Sequence, residues 1–271
     1  MTDIQQQHRD ADLAQVIATV LPDCRRAIED WRRAGAPLQM APGRGHSELV
    51  PVTSAEQAVR RILTTAIAQA WPGLRVITDE SGSSEAANEC VMIGPIDGTA
   101  AMAKGQPDYA ITACRVHDFR PVEAVIVLPA YGIRLEAALG GLRVDGSVEW
   151  LPRMPRGAVL TSPTQQHQVA HWLRCQRIHH LTTVPVTTVS VALALVATER
   201  ACAALQLPDP EGTAEPAFAA AAFAVAASGG TVTAAVTGQD LAATTLAIAQ
   251  GWRALAAHPD PILSAKLQER P

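Results

Sequence analysis

Apolar residues recur along this chain with two distinct periods. In residues 10–34 they fall at Leu13, Val16, Ile17, Val20, Leu21, Ile28 and Trp31, the three-to-four spacing of an amphipathic helix, interrupted at Pro22. The interruption predicts a short helix followed by a second one beginning near Asp23. Residues 36–46 are rich in Pro and Gly and predict a loop. Thr53-Ser54-Ala55-Glu56 then reads as a capping box, opening a helix to about Ala70 that turns Ala58, Val59, Ile62, Leu63 and Ile67 inward. Residues 74–78 predict a strand that ends at the acidic pair Asp79-Glu80 and Ser81-Gly82.

The period changes in residues 91–116, VMIGPIDGTAAMAKGQPDYAITACRV. An apolar run breaks at Gly94-Pro95 and again at Gly98, which places Asp97 and Thr99 on a tight turn at a strand's carboxyl end, where a polar side chain can enter a cleft. A further break at Gly105-Gln106-Pro107 precedes a second apolar strand, residues 109–116. Strand-like runs follow at 122–128, 133–138, 142–144 and 148–151, separated by Pro129, Gly140-Gly141 and Asp145-Gly146, the pattern of an antiparallel meander.

Beyond the Pro-rich residues 152–157, the best linker candidate, strands alternate with helices. Strands are predicted at 158–161, 181–186, 201–205, 231–236 and 244–250. Helices are predicted at 163–178, 189–197 and 216–227, the last stopped by Ser228-Gly229-Gly230, with a loop at 208–215 before it. Residues 251–257 and 262–267 form a predicted terminal helix. The first half, residues 1–151, therefore reads as α+β with helices covering an antiparallel sheet. The second, residues 158–271, reads as α/β.

A chain of 271 residues, 48% of them hydrophobic, can bury a substantial core, and with 4% aromatics that core is mostly aliphatic. A net charge of −4, with no basic stripe interleaved with aromatics, argues against a nucleic-acid surface. The first twenty residues lack the order of a signal peptide and the apolar run 217–227 is too short to span a bilayer, so a soluble cytoplasmic protein without a membrane partner is expected. The five cysteines, Cys24, Cys90, Cys114, Cys175 and Cys202, are dispersed and form no CxxC pair; reduced, mostly buried thiols are expected.

The run Pro95-Ile96-Asp97-Gly98-Thr99, with Gly105, Pro107, Tyr109 and Ala110 behind it, resembles the signature of the inositol monophosphatase superfamily, Asp-Pro-Ile/Leu-Asp-Gly-Thr followed by Gly-x-Pro-x-Phe/Tyr-Ala. Val52-Thr53 with Glu56 resembles the family's Val-Thr-x-x-Asp. Residues 187–197 resemble its Gly-Ser-x-x-Leu helix, and Ala219-Ala220 with Ser228-Gly229-Gly230 its Trp-Asp-x-Ala-Ala…Glu-Ala-Gly-Gly helix. The resemblance implies a layered αβαβα sandwich over essentially the whole chain. It also implies a Mg²⁺-dependent attack of water on a small phosphorylated metabolite, such as a sugar, cyclitol or nucleotide phosphate, and a homodimer, since relatives are commonly dimers.

Carried over by position, the resemblance makes Asp79, Asp97 and the Ile96 carbonyl metal ligands, with Glu80 in support. Thr99 orients the attacking water with Glu56 as its acidic partner, and the Gly98 and Thr99 amides lie against the phosphate. The departures are equally specific. Gly94 stands where the family carries a bridging aspartate, Ala217 where a late aspartate belongs, Thr187-Thr188 at the Gly-Ser and Cys202 at a further aspartate. Glu215, Glu211 or Asp209 is the available substitute for the late acid. The implied cofactor is therefore weakly bound Mg²⁺, one or two ions. A catalytically inactive pseudophosphatase with a binding or scaffolding role, and a non-hydrolytic biosynthetic enzyme on the same fold, are the rival readings. His167, His171, Cys175 and His179 recur every four residues, a spacing that suits either an exposed polar face or a transition metal. Ser190 and Ser228 lack a His/Asp companion at the spacing of a nucleophilic serine.

Overall fold

The structure is a computed structural model that describes residues 12–42, 49–78, 88–175, 177–205, 216–234 and 254–257. Five layers stack in the order αβαβα. The outer layer is a pair of helices, α1 (Leu13–Ala34) and α2 (Ser54–Ala70), lying on one face of a six-stranded sheet. That sheet runs β3 (Arg75–Ile77), β4 (Cys90–Asp97), β5 (Ala110–His117), β6 (Arg120–Leu128), β7 (Ile133–Ala138) and β8 (Gly141–Asp145) in spatial order. It is antiparallel except for the parallel β3–β4 pair at one edge. A five-residue helix, α3 (Thr99–Ala103), follows β4.

The middle layer is α5 (Val189–Ala197) and α6 (Pro216–Ala227), and beneath it lies a mixed sheet. The sheet's strands are β9 (Ala158–Thr161), β10 (Thr182–Pro185), β11 (Ala203–Leu205), β12 (Thr231–Ala234) and β13 (Ala254–Ala257), in the order β10-β9-β11-β13-β12. The last layer, α4 (Gln166–Cys175), covers the far face through Val169 and Leu173. Both middle helices are apolar all round because each is covered on opposite sides, by the six-stranded sheet above and the mixed sheet below. Among the described residues no helix is long and apolar enough to cross a membrane.

Several local expectations are corrected. Pro22 does not separate two helices; α1 passes through it, from its cap Asp12, whose side chain accepts from the Ala14 amide at 2.8 Å, to the left-handed Gly35. Proline costs roughly 3 kcal/mol inside a helix. Against that, Leu13, Ile17, Leu21, Cys24, Ile28 and Trp31 form one buried stripe spanning it, and a fully buried aliphatic side chain is worth about 1.5–3 kcal/mol. The stripe outweighs the break. Residues 36–46 are not wholly loop, since β1 (Gln39–Pro42) pairs antiparallel with β2 (Leu49–Val52). The expected strand at 148–151 is a 3-10 turn, Val148–Trp150, held by Ser147, whose hydroxyl accepts from the Glu149 amide.

Ala254–Ala257, expected in a terminal helix, is instead β13, antiparallel to both β11 and β12. Alanine's helix propensity loses here to the need of two strands for a shared partner: without β13 their inner backbone groups would lie in the sheet unpaired. The predicted loop 208–215, the strand 244–250 and the helix 262–267 lie outside the described residues. The described cysteines are all free, with Cys24, Cys90 and Cys114 buried and Cys175 exposed. Burial pushes the thiols up, to about 12 for Cys24 and about 11 for Cys90.

Pro22 is exposed and the missing amide is its main cost. Pro22→Ala is therefore expected to raise the unfolding free energy by about 1–3 kcal/mol in a denaturant titration. A loss of stability would show that α1 depends on the proline's fixed φ.

Candidate active site

The site forms where β4 ends. Val91 and Ile93 face α1 and α2, while Cys90 and Met92 face α5 and α6, the ordinary alternation of a strand. Contrary to the expected break at Gly94-Pro95, the strand continues to Asp97, but its pairing with β5 shifts register between Gly94 and Asp97. Ile96 consequently lies on the face of Val91 and Ile93, and Asp97 is turned toward α5. Uninterrupted alternation would have aimed Asp97 at α1 and α2. The irregularity thus places a carboxylate in the seam between the sheet and the middle helices.

Oδ2 of Asp97 accepts two hydrogen bonds from Ser190, from the backbone amide at 3.0 Å and from the hydroxyl at 2.5 Å. Burial pushes the Asp97 carboxyl above the usual carboxylate range, opposed by the Ser190 hydroxyl and amide and by the Gly98 amide, all of which favour the ionised form. Gly98 has φ +88, and a Cβ there would lie 2.5 Å from the Asp108 carbonyl oxygen and collide with the Thr188 hydroxyl. Only glycine fits this approach of β4 to α5. The Asp108 carboxyl is also raised by burial.

On the opposite side of the turn, the buried Thr99 hydroxyl lies 3.0 Å from Glu56 Oε2 and 3.1 Å from the Ile96 carbonyl oxygen. Glu56 belongs to the first turn of α2, whose cap Thr53 accepts from the Glu56 amide at 3.1 Å, and Arg60 approaches its other oxygen at 3.6 Å. Of the residues expected at the site, the structure therefore brings together Glu56, Ile96, Asp97, Gly98 and Thr99. Asp79, Glu80, Glu215, Glu211 and Asp209 lie outside the described residues.

Gly94, three residues before Asp97, and Ala217 face each other in the seam. A Cβ built on Gly94 would lie 3.2 Å from the Ala217 Cβ and 2.6 Å from the Thr112 hydroxyl, which is buried and has no hydrogen-bond partner among the described residues. Gly94 and Thr112 are also register partners across β4 and β5. Sheet and helix thus close to methyl distance at the two positions where the resemblance implies acids. Mg²⁺ requires about six oxygens in a near-octahedral shell. The described donors, one Asp97 oxygen and the second lone pair of the Ile96 carbonyl, suit one such ion and not a cluster. Among the described residues no group of three or more His, Cys, Asp and Glu side chains could hold a metal.

Sequence reasoning missed the roles of Ser190 and Thr188 and did not single out Thr112. The Gly-Ser correspondence was placed at Thr187-Thr188, but it is Ser190, two residues on, that reaches Asp97, while Thr188 donates to the Asp108 carbonyl at 2.5 Å. The available signal was a serine in the first turn of an otherwise apolar helix. The His171 and Cys175 pair lies on exposed helix surface, Nε2 to Sγ 3.4 Å, with His167 and His179 also exposed. Cys202 donates to the Ala158 carbonyl at 2.9 Å.

A five-layer αβαβα sandwich with a polar turn at the seam between sheet and helices defines the class of this protein. The inositol monophosphatase family model matches residues 12–267, and the chain belongs to that family. Among solved structures, the extragenic suppressor protein suhB from Bartonella henselae superposes with a TM-score of 0.73 at 17% identity, covering 96% of this chain and 99% of that one. An inositol monophosphatase from Thermotoga maritima gives 0.68 at 17%, over 90% and 92%. An inositol monophosphatase/NADP phosphatase complexed with Mg²⁺ and phosphate gives 0.70 at 15%, over 98% and 95%. At these identities the likeness establishes the fold. No curated protein matches the sequence.

The Thr112 hydroxyl is buried with no partner, so it carries a desolvation cost of about 1–3 kcal/mol. Thr112→Val, close to isosteric, is expected to raise the unfolding free energy by about 1 kcal/mol in a denaturant titration. A clear loss would mean that the hydroxyl is satisfied in solution.

Proposed function

We propose that the chain is a divergent phosphatase of this family that acts on a small phosphorylated metabolite by attack of water, with one weakly held Mg²⁺. The observation that carries this is the Thr99 hydroxyl, set between Glu56 and the Ile96 carbonyl beside Asp97. A hydroxyl that gives its hydrogen to Glu56 turns a lone pair to an incoming water. As that water attacks, Thr99 Oγ1 accepts its proton and Glu56 accepts the threonine's own. Arg60 holds Glu56 from the other side. Burial of Thr99 keeps bulk water from competing for its hydrogen bonds.

The Asp97 oxygen not held by Ser190 and the Ile96 carbonyl are the described groups that would hold the cation, with Asp79, and Glu80 in support, as the proposed additional acids. Glu215 is the proposed stand-in for the acid replaced by Ala217. When bound, the ion supplies Lewis-acid polarisation of a phosphate oxygen. The Thr99 amide is proposed to meet the phosphate at the turn; the Gly98 amide, also expected there, is turned to the Asp97 carboxyl.

One observation favours the second reading, a binding protein without turnover. Gly94, Thr112 and Ala217 fill the space in which further carboxylates would gather cations. Release of inorganic phosphate from a panel of sugar, cyclitol and nucleotide monophosphates, with Mg²⁺ calorimetry alongside, separates the two. The expected result is slow release that requires Mg²⁺, is abolished in Asp97→Asn and falls roughly 10²–10⁴-fold in Thr99→Ala. Unchanged turnover in Asp97→Asn overturns the site assignment. No release and no heat at millimolar Mg²⁺ establish the binding reading, and ester consumed without phosphate release points to a non-hydrolytic reaction.

A further inference from the structure

We infer that Asp97 is the N-terminal cap of α5, supplied from the other sheet, and that Ser190 is the positioning residue that fixes which carboxylate oxygen faces the cleft. The catalytic half of this inference rests on the function proposed above; the structural half does not. A helix start leaves its first amides without partners, and the preceding residue ordinarily supplies an acceptor. Thr188 stands in that place with extended backbone, φ −125 and ψ 122, yet its side chain makes no cap. Its hydroxyl is spent on the Asp108 carbonyl.

The acceptor comes instead from a residue 93 positions earlier in the chain. The Ser190 amide and hydroxyl both bond Oδ2 of Asp97. Ser190 is 0% exposed and Thr188 1%, so water cannot take the carboxylate's place. The carboxylate also lies at the positive end of the helix dipole, which favours its charge. With both Ser190 donors on Oδ2, and the Gly98 amide as a further donor to the carboxylate, Oδ1 is the oxygen that Ser190 leaves for a ligand of the cleft. One contact therefore joins β4 to α5, secures the helix start and sets the orientation of the acid.

The consequence distinguishes this acid from a member of a cation cluster. Carboxylates gathered to hold metal repel one another, so neutralising one tends to stabilise the metal-free chain. A cap that is removed destabilises it.

The test is thermal unfolding of the full chain in chelator for Asp97→Ala, Asp97→Asn, Ser190→Ala and the Asp97→Ala/Ser190→Ala double variant. Asp97→Ala and Ser190→Ala are each expected to lower the midpoint by about 2–6 °C. Asp97→Asn, which keeps an acceptor in place, is expected to lose less, and the double variant no more than the larger single loss. A raised midpoint in Asp97→Ala, or additive losses in the double variant, would overturn the inference. Amide exchange of the unmodified chain gives a second measurement that needs no variant: Ser190 should be protected as strongly as the interior of α5, and exchange at loop rates would refute the cap. If phosphate esters are hydrolysed, Ser190→Ala should lower kcat with KM nearly unchanged, whereas a change confined to KM would place Ser190 against substrate rather than behind Asp97. Absent hydrolysis with non-additive midpoints removes only the proposed reaction. Additive midpoints with intact hydrolysis remove only the cap.

Discussion

Strand β4 is buried on both faces, and this constraint organises the molecule. Covered by α1 and α2 above and by α5 and α6 below, the strand has no solvent side. A charged residue along it must therefore leave the strand or find a partner. The register shift after Gly94 gives Asp97, the strand's last residue, its partner, delivering the carboxylate to the start of α5 while Ile96 stays in the upper core. Gly98 then permits the backbone to approach Asp108 and Thr188. From there Thr99 turns back to Glu56, so the middle helices hold one side of the turn and α2 the other.

The same burial explains how the seam tolerates its missing acids. With no side chain on Gly94 and only a methyl on Ala217, α6 packs directly on β4 and β5, and the second core runs unbroken from the six-stranded sheet through both middle helices to the mixed sheet. On the function proposed above, this apolar contact stands where the resemblance implies further acids. Thr112 shows that the replacement is incomplete: a hydroxyl remains in a place that offers it nothing to bond. Burying such a group costs about 1–3 kcal/mol, a small fraction of the stabilisation from the apolar residues around it.

Local chemistry made much of the fold legible. The Thr53 cap of α2, the apolar run that follows Ser190 in α5 and the Gly stop after α6 are set by neighbours in sequence, and they appear where their residues place them. The misreadings arose where a distant partner decides. Pro22 reads as a break until the stripe on both its sides is seen to share one burial surface, and Ala254–Ala257 reads as helix until β11 and β12 are seen to need a strand between them. At the site, the meeting of Thr99 with Glu56 beside Asp97 could be expected from two separate stretches, the Pro95–Thr99 run and Val52-Thr53 with Glu56. The role of Ser190 could not, because nothing in residues 187–191 shows that the Thr188 hydroxyl will be engaged by a carbonyl of another element, leaving the helix start to an acid from the first sheet.

The pairing of Asp97 with Ser190 bears on what loss of the other acids does to such a site. An acid that served only a cation would be free to drift once its companions were gone, since it would then carry a burial cost with no return. Asp97 is held differently. Its burial penalty is opposed by two donors on one oxygen and by the helix dipole, whether or not an ion is present. Replacing it would expose the amide of Ser190 in a place water does not reach. Retention of this aspartate beside Gly94 and Ala217 is therefore explained by folding alone, and its presence does not by itself argue for catalysis. The stronger argument for chemistry is Glu56. Neither of the elements it joins needs that contact: α2 is already capped by Thr53, and α3 follows a turn set by Gly98. A half-buried carboxylate against a threonine hydroxyl, where stability does not require it, is the feature that supports the proposed proton transfer.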